Sequence, residues 1–189
     1  SKGVPDPKPA AIATFPAIDE HVLSNGLTIR CIQRRNVPLV SMELVTPGGF
    51  AVDKDKPGLA SLTWDLLSEG TVNHDAFELS DALERLGADI STGCLQDAAI
   101  VSLSAMKTNF DEAFGLFADV ALRPAFAAES IERKRSQRLA GIEQESASPQ
   151  GIGYRLMPGL LYGNDHPYGR PMTGSGLETS IVALRQDDF

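Results

Sequence analysis

The sequence is short of the residues that most often declare a function. Its 189 residues hold three histidines, two cysteines, one tryptophan, and 17 Lys and Arg against 25 Asp and Glu, for a formal charge of −8. That deficit of positive charge removes the electrostatic basis for gripping nucleic acid or anionic lipid. The two cysteines, Cys31 and Cys94, fall in different predicted strands and form neither a zinc ribbon nor a CxxC redox pair. They read as small buried hydrophobes, with a disulfide left open. The three histidines, His21, His74 and His166, make no i, i+4 pair, so each reads as a surface or structural residue. No apolar run reaches the ~18 residues of a spanning helix. An initiator Met and a signal peptide are also lacking. The opening stretch, with Pro5, Pro7 and Pro9, reads as a processed tail and suggests a periplasmic or otherwise exported protein, the cytoplasm being the alternative.

What is present suits a packed domain: 42% of the residues are hydrophobic and apolar residues recur at structural periods. Residues 1–17 are expected to be a flexible Pro-rich tail and 18–189 a single domain, a fragment of a longer two-domain chain. His21 to Leu27 reads as strand and turn around Asn25-Gly26, followed by a strand over 27–32. Leu39 to Val45 reads as a third strand, partly buried on both faces. A helix between Gly58 and Gly70 carries Leu59, Leu62 and Leu66 as one stripe. Its other face holds Ser61 and Asp65 four residues apart, with Trp64 beside them. A second helix is expected over 75–86, capped near Asn73 or His74 and stopped by Gly87. A hairpin over 88–106 and helices over 110–122 and 127–146 follow. The spacing predicts a further helix over 150–161, interrupted near Pro158-Gly159, then a loop over 162–171 and weak helix over 173–184. The basic run Arg133-Lys134-Arg135 with Arg138 alternates with glutamates and reads as a solvated helix face.

The motifs Leu23-Ser24-Asn25-Gly26-Leu27, Gly58-Leu59-Ala60, Glu69-Gly70-Thr71, Leu86-Gly87-Ala88 and His166-Pro167-Tyr168-Gly169-Arg170-Pro171 recur in this order. Together they resemble the N-terminal domain of the pitrilysin or insulinase-type metallopeptidases, a family that includes mitochondrial processing peptidase. The resemblance covers almost the whole ordered chain. It implies an α+β, processing-peptidase-like metallohydrolase fold, an antiparallel or mixed sheet with helices packed on one face. It also implies assembly of such domains into halves that close around an extended peptide.

Active family members carry H-x-x-E-H on the first helix. Two imidazoles one turn apart hold zinc, and the Glu takes a proton from the metal-bound water. The framing glycines place Ser61 at the first His, Trp64 at the Glu and Asp65 at the second His. The family's third ligand, a distant Glu, falls near Ala140 to Ile142, one residue short of Glu143, which a helix turns about 100° away. With no imidazole and no base at Trp64, neither a catalytic residue nor a metal ligand is expected on this chain. Ser61 has no histidine in register and no nucleophile elbow, which excludes a serine hydrolase. Trp64 is expected to fill the space of the missing metal and water.

The resemblance implies a zinc-less subunit or domain that pairs with a homologous zinc-bearing peptidase subunit, takes no cofactor of its own, and forms part of the wall around a peptide substrate. Ser91 and Thr92 stand where the family's substrate-pairing edge strand has Asn-Ala, so they are the candidate substrate-binding residues through main-chain pairing. They equally suit a solvent-facing strand. Two alternatives stand beside this reading: a metalloendopeptidase with an unconventional metal site, and an interaction scaffold with a retired peptidase fold.

Overall fold

The structure, a computed structural model, describes residues 14–189. Most of the expected Pro-rich tail lies outside the described residues. The chain divides after Pro38 into two compact units.

In the first unit, β1 (Asp19–Val22) and β2 (Thr28–Cys31) pair antiparallel. The turn between them follows from Asn25, whose side-chain oxygen accepts from the Leu27 amide at 3.1 Å, the local bond that makes Asn a turn former. Glu20 and Arg30 are cross-strand partners and form an ion pair at 2.8 Å. His21 sits exposed within β1.

The second unit is built on an antiparallel sheet in the order β3-β5-β4, with β3 at Leu39–Pro47, β4 at Asp89–Cys94 and β5 at Ala98–Met106. Central β5 alternates strictly, burying Ala99, Val101, Leu103 and Ala105, as the two-residue period requires of a sheet with one packed face. β3 behaves likewise: Met42 and Leu44 join the core while Leu39 and Val45 stay exposed. This corrects the expectation that β3 is partly buried on both faces, because the helices cover only one face of the sheet.

Two helices supply that cover, α2 (Ala76–Leu86) and α3 (Phe110–Leu122). Leu79 from α2 and Ala113, Leu116, Phe117 and Val120 from α3 pack on the inward residues of β5. The start of α2 is set by Asp75, not by Asn73 or His74. Asp75 accepts from the Phe77 and Glu78 amides, and Glu78 returns the bond to the Asp75 amide, a reciprocal capping box.

The remaining helices form a second cluster. α1 (Leu59–Leu67) contributes Leu62 and Leu66, α4 (Ala128–Ser146) Ile131 and Ile142, and α6 (Glu178–Ala183) Ile181, with Leu184 just beyond. The expected Leu59, Leu62 and Leu66 stripe therefore faces α4, not the sheet. α5 runs unbroken from Pro149 to Tyr162, with Pro158 buried inside it, so the expected interruption is absent. The loop beyond it holds a 3₁₀ turn at Pro167–Gly169. None of the described helices is long and apolar enough to cross a membrane.

Candidate functional site

α1 begins on a left-handed residue, Gly58, with φ of 99°. A side chain there would meet Ile181 at 2.7 Å and the Ser175 carbonyl at 3.0 Å, so only glycine fits both the backbone and the space. Asp53 fixes this end. One carboxylate oxygen accepts from the Gly58 amide at 2.7 Å and the other from the Ala60 amide at 2.8 Å, which satisfies two of the amides a helix start leaves open. Burial pushes the Asp53 carboxyl above its ordinary range, and the amides and the charge of Arg138 pull against it.

Ser61 and Asp65 lie one turn apart, and Arg138 of α4 reaches both. Its Nη1 donates to Ser61 Oγ at 2.7 Å and to the Gly174 carbonyl at 3.2 Å. Its Nη2 donates to Asp65 Oδ2. Ser61 in turn donates to the Gly174 carbonyl at 2.8 Å. Ser61 is buried, and the Arg138 side chain is only 15% exposed. A guanidinium thus bridges these two α1 side chains.

The same face of α4 continues one turn beyond Ile142 with Glu145. Its carboxylate accepts from Arg155 of α5 at 2.7 Å and from the buried Ser175 hydroxyl at 2.8 Å. Arg155 also donates to Ser175 Oγ and to the Gly176 carbonyl. The 173–176 loop is thereby tied to α4 and α5, and through Gly174 to α1.

The basic run on α4 is not a solvated face. Arg135 is largely buried and donates to the carbonyls of Ile181, Val182 and Leu184 at the end of α6. Lys134 and Arg133 both pair with Glu69 after α1. Burial opposes ionisation of Glu69, and the two cations outweigh it and hold its carboxyl below the usual range. The charge pattern misled because a helix packed on two neighbours can turn cations inward when carboxylates and helix-end carbonyls await them.

Trp64 also departs from expectation. It points away from Ser61 and Asp65 and packs against the sheet-side core, in a cleft with Leu44, Val101 and Phe126. It does not lie between Ser61 and Asp65, where Arg138 reaches instead. The Trp64 indole nitrogen is buried without an acceptor.

These residues do not fit a zinc ion. The position four residues after Ser61 offers one carboxylate, already paired with a guanidinium whose charge would repel a second cation. Ala140 to Ile142, where the resemblance puts the third ligand, carry no ligating side chain; Ile142 is a core residue, and Glu143 is exposed. Cys94, on the strand beside α1, is pushed up to about 11 by burial and then by the charges of Asp53 and Asp65, which keeps it a thiol and a poor ligand. Sequence reasoning missed Arg138. Helical spacing held the signal, since residue 138 lies one turn before 141–142 on the same face.

Ser91 and Thr92 lie on β4, opposite Ser102 and Val101 of β5. Ser91 is exposed and Thr92 half-buried. β4 is an edge strand beside α1, and no other strand among the described residues pairs with its outer side. The structure joins neither residue to Ser61 or Asp65 by a hydrogen bond. Of the remaining histidines, His74 stands 3.9 Å from Asp119, and His166 accepts from the Tyr168 amide at 3.0 Å and stacks on Tyr162. Both placements are structural.

Residues 31–166 match the family model described as insulinase, peptidase family M16. An uncharacterized zinc protease of Rickettsia bellii is 22% identical over 168 residues, covering 88% of this chain and 40% of that protein. A non-peptidase homolog, YmxG, of Helicobacter pylori is 29% identical over 148 residues, covering 75% of this chain and 32% of that protein. The crystal structure of a peptidase M16 inactive domain from Pseudomonas fluorescens superposes with a TM-score of 0.85 at 29% identity, over 89% of this chain and 40% of that one. The chain thus spans well under half the length of these relatives.

Proposed function

The chain belongs to the insulinase family of peptidases, family M16, and from that premise we propose that it is a non-catalytic domain that pairs with a homologous subunit carrying H-x-x-E-H. In this reading the zinc resides on the partner, and this chain contributes wall to the peptide-binding chamber. The observation that supports it most is Arg138, whose guanidinium bonds Ser61 and Asp65, the two residues that the resemblance sets against an active member's histidines. A resident cation there leaves no role for a metal, and Trp64 has no proton-accepting group. Two relatives support the reading: the Helicobacter protein named a non-peptidase homolog and the Pseudomonas structure described as an inactive domain.

What the chain retains suits holding a peptide. The outer edge of β4 offers the main-chain donor and acceptor of every second residue, so of the adjacent Ser91 and Thr92 one faces β5 and the other the free edge, where an extended substrate would add as a further strand. Such pairing asks little of the side chains, so Ser and Thr serve there.

The test is to purify the chain, measure bound metal by mass spectrometry, and assay cleavage of a quenched peptide library alone and with an H-x-x-E-H homologue. Expected are no stoichiometric zinc, no turnover by the chain alone, and a one-to-one complex with the homologue. Stoichiometric zinc together with turnover by the isolated chain would overturn the proposal.

A further inference from the structure

The free edge of β4 has a definite register. The Leu95 amide donates to the Ala98 carbonyl at 2.7 Å, so residue 95 turns its N–H toward β5. Main-chain groups alternate from there along an antiparallel strand. Asp89, Ser91 and Gly93 therefore face β5, opposite Ser104, Ser102 and Ile100, while Ile90, Thr92 and Cys94 face outward. The hairpin tip that ends this edge is held from two sides. On one side, the carbonyls of Leu95, Gln96 and Asp97 accept from the amides of Phe50, Ala51 and Gly48 at 3.0, 2.9 and 2.8 Å. A Cβ at Gly49 would overlap the Leu95 carbonyl, so the two segments meet backbone to backbone. On the other side, the Tyr168 hydroxyl donates to Asp97 Oδ1 at 2.7 Å, across 71 residues of chain.

We propose that Tyr168 is a positioning residue for peptide binding: through Asp97 it fixes the tip of the β4–β5 hairpin, and with it the outward row of Ile90, Thr92 and Cys94 on which an extended peptide adds as a strand. This role rests on β4 being the peptide-binding edge. Tyr168 is itself set in place. Its amide donates to His166 Nδ1 at 3.0 Å, and its ring stands edge-on to His166 and Tyr162, with centroids 5.4 and 5.9 Å away. A Cβ at the next residue, Gly169, would overlap the Gly163 carbonyl, so the 3₁₀ turn is closed against the end of α5. The bond to Asp97 holds the phenol above its ordinary range, which keeps it a donor. An edge strand has a partner on one side only, so its outward groups open readily unless something else secures its end. Securing the tip lowers the ordering cost that a peptide meets on pairing.

The probe is the labelled peptide Lys-Thr-Val-Thr-Val-Thr-Lys, which favours an extended conformation, titrated into the purified chain and read by fluorescence anisotropy and by amide exchange in NMR. Wild type is expected to bind it with about tenfold slower exchange at Ile90, Thr92 and Cys94. Tyr168→Phe keeps the ring and removes the hydroxyl, so the peptide Kd should rise about threefold, the scale of one net hydrogen bond. Asp97→Ala should give the same rise and the double variant no more, while Asp97→Asn, which keeps an acceptor, should retain wild-type affinity. In free Tyr168→Phe the Leu95 amide should exchange faster while those of Val101 and Leu103 in β5 stay as protected as in wild type, a local change that general destabilisation does not produce. An affinity that Tyr168→Phe leaves unchanged, with the three outward amides still protected, would overturn the positioning role and leave the peptide edge standing. If the peptide leaves those amides unprotected in wild type, both fall, because β4 is then not the edge it uses.

Discussion

Replacing Arg138 with Met tests whether a side-chain cation, in place of a metal, now holds α1 to α4. Met keeps much of the apolar stem and removes the guanidinium, so the loss isolates the polar bonds. Three acceptors are affected: Ser61 Oγ, Asp65 and the Gly174 carbonyl. Hydrogen bonds to charged groups contribute ~1.5–3 kcal/mol when buried. Here the Gly174 carbonyl keeps Ser61 as a donor. Asp65 is 47% exposed and rehydrates, so its pairing contributes at the low end, about 1 kcal/mol. The expected loss is about 2 kcal/mol, or roughly 4–8 °C in Tm for a chain of this length. Combining it with Asp65→Asn in a double-mutant cycle followed by urea unfolding should return a coupling energy of about 1 kcal/mol. The coupling should change little with salt, because the guanidinium is buried. Single losses that simply add, with coupling under ~0.3 kcal/mol, would refute the argument and return Arg138 to the solvated face that its neighbours suggested.

Restoring the motif residues alone should not restore the metal: Ser61→His, Trp64→Glu and Asp65→His together should bind no zinc by titration calorimetry, because Arg138 still reaches that face of α1 and Ile142 is a core residue that supplies no ligand; stoichiometric zinc would refute this. Trp64→Phe should be neutral or slightly stabilising, since it removes a buried N–H that lacks an acceptor and costs ~1–3 kcal/mol to leave unmet. Trp64→Glu alone should destabilise by more than ~2 kcal/mol and give no peptide cleavage. Gly176→Ala should destabilise strongly in thermal melts, because a Cβ there would sit 2.2 Å from the Pro57 carbonyl on a backbone with φ of 78°. Glu69, held below its ordinary value by Lys134 and Arg133, contributes stability that is present above its unfolded pKa and lost as pH falls through the folded one. Glu69→Gln should therefore flatten the acid limb of the stability curve as pH falls below the ordinary carboxylate range, measured by urea unfolding; an unchanged slope would show the pairing to be inconsequential.

The sequence by itself determined the elements and the family. The bounds of α3 are those expected at Phe110 and Leu122, and the hairpin of β4 and β5 lies within a residue of its expected place. Both follow from apolar periods of 3.6 and 2 bounded by Gly, Pro and Asn, which are local properties of the chain. The absence of an H-x-x-E-H pattern could be read from the sequence, because such a ligand set is defined by residue type and spacing on one helix. Tertiary structure alone decided where long side chains go. Arg138 and Arg135 look like surface cations until α1 and α6 bring a hydroxyl, a carboxylate and free carbonyls against α4. Trp64 looks like a filler for the metal's place until the sheet claims it. α5 reads as an ordinary helix until its apolar side proves to face outward. Periodicity shows that a helix has two faces; only the packing of distant segments decides which of them is inside.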